Sequence, residues 1–108
     1  MLYINPMDAF SVLAEPHRRR VVEILAHRGK LSASQISDEF DVTPQAVSQH
    51  LRVLREANVI QMERSAQRRF YALNPQSMDQ IQIWTSQMAR LWRGRLDRLE
   101  KALNEEHS

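Results

Sequence analysis

Cysteine is absent from the 108 residues. Disulfides, thiolate metal sites, redox-sensing thiols and cysteine nucleophiles are therefore excluded together, and the remainder suits a reducing cytosol. Glycine occurs only twice, so no Gly-rich loop exists to cradle a phosphate. No run of about 18 apolar residues is present, so no membrane span is expected. The opening MLYINPMDAF lacks the basic stretch and apolar segment of a secretory signal. The serines have no evident base with an orienting acid. Neither an enzyme nor a cofactor is expected, and the length corresponds to one domain with a small core that oligomerisation would assist.

The charge that is present is unevenly placed. The net value is only +2, and residues 1–40 and 72–108 each balance. Residues 42–71 carry five arginines against Glu56 and Glu63. A basic block of this kind is the footprint expected for a polyanion partner, although many solvated surfaces are locally basic too.

Apolar spacing and punctuation predict seven elements in the order α-α-α-α-β-β-α. A first helix covers Pro6 to Leu13. A second runs from Pro16, well placed in a first turn, to Arg28, with Gly29 as its stop. Ser32-Ala33-Ser34-Gln35 has the form of a capping box and starts a third helix reaching Phe40. Thr43 can cap the fourth, with Pro44 in its first position and Val47, Leu51 and Leu54 inward, and Asn58 is suited to a left-handed end. The period then changes to that of a hairpin, Val59–Arg64 and Arg69–Leu73, turning across Ser65–Arg68. One long helix follows from Ser77 to about Asn104, its stripe formed by Ile81, Trp84, Met88, Leu91, Leu96, Leu99 and Leu103. Two short helices joined by a tight turn and followed by a basic hairpin form a winged helix-turn-helix, a mainly α fold with a small β-hairpin.

At these residues the chain resembles the ArsR/SmtB family of bacterial transcriptional regulators. The resemblance covers nearly its whole length and rests on LAEPHRRRVVEIL, SASQISDEF, VSQHLRVLREANVI and RRFYALNP. The family patterns L-x-x-P-x-R-x-x-I-L and S-x-H-L-x-x-L-x-x-A-G are both nearly complete. The resemblance implies a homodimer that binds double-stranded DNA, as a repressor of the kind that often controls its own operon. Helix 44–57 would be the recognition helix. Its exposed Gln45, Ser48 and Gln49 would then meet base edges in the major groove, where amide side chains pair bidentately with adenine. Thr43, His50 and Arg52, with Arg64, Arg68 and Arg69 of the wing, are the candidates for backbone or minor-groove contact. The bland reading of each is an ordinary solvated side chain, and His50 equally suits a packing role inside the motif. One of Arg18, Arg19 and Arg20 is expected to anchor the fold through an ion pair. The wing departs from the family in lacking a tip glycine.

The long stripe and the two tryptophans expose more apolar surface than one small domain covers. The expected dimer interface is Met7, Phe10, Ile81, Trp84, Met88, Leu91 and Leu99. The family's usual metal ligands are missing. There is no cysteine pair, and the last helix has no histidine before His107. His17, His27 and His50 are scattered along the chain, so no metal site is expected. Three functions remain open: a constitutive repressor, a sensor whose DNA is released by an unidentified effector, and a protein-interaction module using the fold as scaffold.

Overall fold

The computed structural model describes residues 6–106, with side chains from Ala9 onward. Local chemistry sets the boundaries. Helix α1 is Pro6–Leu13, and α2 is Pro16–Arg28. The Glu15 carboxylate caps α2 by accepting the Arg18 N–H at 2.9 Å. Gly29 ends it at φ 80°, where an L side chain is strained, and its N–H reaches the Leu25 carbonyl at 2.8 Å. The capping box is present: Ser32 Oγ accepts from Gln35 N–H, and the Gln35 side chain accepts from Ser32 N–H. It opens α3 (Ala33–Ser37), which ends before Phe40, earlier than the sequence suggests. Thr43 Oγ1 accepts the Ala46 N–H at 3.1 Å and starts α4 (Pro44–Glu56). Asn58 takes φ 60° as expected.

The hairpin consists of β2 (Ile60–Ser65) and β3 (Arg68–Leu73). Ser65 pairs with Arg68, so the turn is only Ala66-Gln67. Ala66 adopts φ 57°, the position a glycine would take without cost. A short strand that the sequence reading lacks, β1 (Leu31–Ser32), pairs antiparallel with β3 through Leu31↔Tyr71 and Ser32↔Phe70. The sheet is therefore three-stranded, in the order β1-β3-β2. Asn74 Oδ1 accepts the Gln76 N–H, and α5 runs Pro75–Glu106, starting two residues earlier than expected.

The core lies where α2, α3, α4 and the sheet meet. Val21, Ile24, Leu25, Ile36, Val47, Leu51, Leu54, Val59, Ile60 and Tyr71 are buried there. Each large aliphatic so buried contributes about 1.5–3 kcal/mol against leaving it in water. Their effect on α4 is directional. With Val47, Leu51 and Leu54 held inward, the opposite side of the helix is left to solvent.

Only the first turns of α5 join this core, through Ser77, Met78 and Ile81. The helix is 32 residues long, about 48 Å. The molecule measures 71 × 35 × 21 Å with a radius of gyration of 19.2 Å, against about 13 Å for a compact domain of this length.

Candidate nucleic-acid interface

Gln45, Ser48, Gln49, Arg52 and Arg55 are all exposed on the outer side of α4. Together with Arg69 and Tyr71 of β3 they line one open groove of about 330 Å³. Three predicted base contacts and two predicted arginines are thus brought together. Arg55 was not singled out in the sequence, although it stands three residues beyond Arg52 and so shares its face. Arg52 Nε lies 3.0 Å from Glu56 Oε1, an exposed pair that a stronger anion could displace at little cost. Thr43 serves α4 as its N-cap, so its hydroxyl already has a partner.

The wing concentrates unneutralised charge. Arg64 and Arg69 are direct cross-strand partners. Like charges at such positions repel, and neither has an acidic partner among the described residues. Arg68 is placed differently. Its guanidinium sits 5.4 Å over the Phe70 ring, and Nη2 donates to Ser32 Oγ at 3.4 Å. It therefore belongs to the opposite side of the hairpin from the groove. Lys30 lies over the same ring and pairs with Glu63 at 2.7 Å.

His50 is half-buried and turned toward α2. Its ring stacks on His17 with centroids 5.3 Å apart and planes within 9°, and Nδ1 lies 3.7 Å from Glu15 Oε2. His17 Nδ1 hydrogen-bonds Glu15 Oε1 at 2.8 Å. The expectation that the histidines are scattered is therefore corrected. Packing α2 on α4 gathers Glu15, His17 and His50 with one ligand atom of each within 4.8 Å of the others. The arginine anchor is corrected too. Arg20 does form an ion pair, with Glu23 at 3.8 Å, but it is exposed and lies within α2. The anchor is Arg18, whose Nε donates to the Val12 carbonyl at 2.7 Å and ties α2 to the end of α1.

Burial alone would raise the Glu15 pKa. The His17 hydrogen bond, the Arg18 N–H and the charges of His50 and His17 outweigh it and lower the value from 4.5 to about 2. A depressed carboxyl contributes stability that is complete above its unfolded pKa and is lost as pH falls through the folded one. Glu15→Gln should accordingly be less stable than the parent at pH 7, with the gap closing between pH 4.5 and 2. Urea midpoints across that range check this, and a constant gap would contradict it.

Along α5 the predicted interface residues divide. Ile81 is partly buried against the core, and Phe10 meets Trp84 with ring centroids 4.9 Å apart. Trp84, Met88, Leu91 and Leu99 are 36%, 39%, 65% and 57% exposed, continued by Ile83, Trp92, Leu96 and Leu103. The side chain of Met7 lies outside the described residues. Among those residues no helix is long and apolar enough to cross a membrane.

Comparison with known proteins bears on the family and the fold. Residues 13–63 match the model of a helix-turn-helix domain family. The HTH-type transcriptional regulator Rv2034 of Mycobacterium tuberculosis is 36% identical over 88 residues, which span 77% of this chain and 81% of the relative. The transcriptional repressor SdpR of Bacillus subtilis is 31% identical over 62% of this chain and 73% of its own. A crystal structure of a possible transcriptional regulator for arsenical resistance superposes with a TM-score of 0.68 at 36% identity, covering 85% of this chain and 92% of that one. An ArsR-family regulator, RHA00566, shares the fold at a TM-score of 0.73 and 24% identity, over 85% of this chain and 95% of that one. The outward face of α4, the basic wing and these relatives agree: the chain belongs to the ArsR family of winged helix-turn-helix, DNA-binding transcriptional regulators.

Proposed function

We propose that the chain is a cytoplasmic repressor that binds an inverted-repeat operator as a homodimer, the operator of its own gene among its sites. One observation carries this reading above the others. Gln45, Ser48 and Gln49 share a single groove with Arg52, Arg55 and Arg69, and of those three arginines only Arg52 has an acidic partner among the described residues. Amides supply base discrimination and the arginines supply phosphate attraction. Repression is supported by the likeness to SdpR, a transcriptional repressor. Dimerisation is supported by the apolar stripe of α5, which lies beyond the reach of its own core. Two copies would space their recognition helices about one turn of DNA apart.

The test is fluorescence anisotropy of a labelled duplex from upstream of the gene against a scrambled copy, over a salt series. Tight, salt-sensitive preference for the native duplex is expected, and equal weak binding to both would overturn autoregulation. Gln49→Ala should cost about 1–3 kcal/mol on the specific duplex and relax base preference. Arg69→Ala should weaken both duplexes alike and reduce the salt slope by about one per protomer. Identical profiles for the two variants would contradict this division of labour.

A further inference from the structure

The Glu15, His17 and His50 cluster plays no part in the groove described above. We infer that it is a transition-metal site of the zinc class, joining the start of α2 to the recognition helix. Two imidazoles and one carboxylate form a donor set that holds zinc with a fourth position open. The geometry is close to what an ion needs. Ligand atoms about 2.0–2.1 Å from a tetrahedral zinc stand about 3.3 Å from one another. Glu15 Oε1 lies 2.8 Å from His17 Nδ1 and Oε2 lies 3.7 Å from His50 Nδ1. One ligand atom of each residue stands within 4.8 Å of the others, so small side-chain rotations bring the three to that spacing.

The rings now stack with planes within 9°. Turning both lone pairs onto one ion requires rotation about the soft Cβ–Cγ torsion. The His17 side chain, 44% exposed, has the room to do this. The carboxylate can serve two tasks, Oε2 continuing to cap α2 through Arg18 N–H while Oε1 turns to the metal. All three residues are half-buried, which limits competition from water. The site contains no cysteine and nothing from α5, so it is distinct from the cysteine pairs and last-helix sets whose absence the sequence already established. Its effect on DNA rests on the reading of α4 given above, because His50 immediately follows Gln49. The binding itself does not.

The test uses the full chain, stripped with a chelator and titrated with Co²⁺ and then Zn²⁺ in the absence of DNA. A tetrahedral Co²⁺ absorption saturating at one ion per chain and displaced by Zn²⁺ is expected. His17→Ala and His50→Gln should weaken Zn²⁺ binding more than about 100-fold, beyond the loss an outer-shell partner brings. His27→Ala, at the exposed far end of α2, should leave it unchanged. His17 is exposed enough to be replaced without unfolding, which circular dichroism would verify. Absence of stoichiometric binding, or binding indifferent to His17→Ala, overturns the site.

Discussion

Leu91→Glu is expected to leave the chain folded but monomeric, and to remove its preference for an operator. The position separates the two fates of the α5 stripe. In a single chain Leu91 is 65% exposed, so a glutamate there would sit in water and cost almost nothing. In a two-fold dimer the substitution occurs twice at one self-complementary surface. Each uncompensated charge taken out of water costs about 3–5 kcal/mol. Two of them raise the dimer dissociation constant by about four orders of magnitude or more. Sedimentation equilibrium reads the association state, and circular dichroism confirms that the helices survive. A monomer presents one recognition helix and one wing, so the salt slope on DNA should fall by about half. An unchanged sedimentation profile would mean that Leu91 lies outside the contact, and the interface would have to be sought elsewhere along the stripe.

The sequence showed most of the frame and the outward face of α4, because both depend on local chemistry. The capping box at Ser32, the Thr43-Pro44 start and the Asn58 stop are short-range signals, and each recurs in the structure. What it hid depends on long-range pairing. Leu31 and Ser32 are too few to show alternation, and Ser32 was fully accounted for as a cap, yet it both caps α3 and pairs with Phe70. Glu15 and His50 are 35 positions apart, and only the packing of α2 on α4 makes them neighbours. Arg68 and Arg69 looked equivalent in the string, whereas the pleat sends them to opposite faces of the hairpin. Arg55 was legible, and only the density of arginines in the same block concealed it.

Leu54→Ala is expected to have the largest effect on stability of any single truncation in α4, while sparing recognition in the molecules that remain folded. Leu54 has no exposed surface and belongs to the cluster joining α2, α3, α4 and the sheet. Cutting its isobutyl side chain back to a methyl loses transfer free energy and leaves a cavity that these elements cannot close together, at a cost of about 2–5 kcal/mol. Against a total stability of about 5–15 kcal/mol that is a large fraction. The midpoint of thermal unfolding should fall by roughly 10–30 °C, measured at fixed protein concentration because association shifts it as well. The side chain points away from Gln45, Ser48 and Gln49, so the salt slope and base preference of the folded fraction at low temperature should match those of the parent. Gln49→Ala should do the reverse, leaving the melting temperature unchanged and altering base preference. If Leu54→Ala instead relaxed base preference at a temperature where the chain is fully folded, the orientation of α4 would depend on that one side chain. Recognition could not then be assigned to its outer face alone.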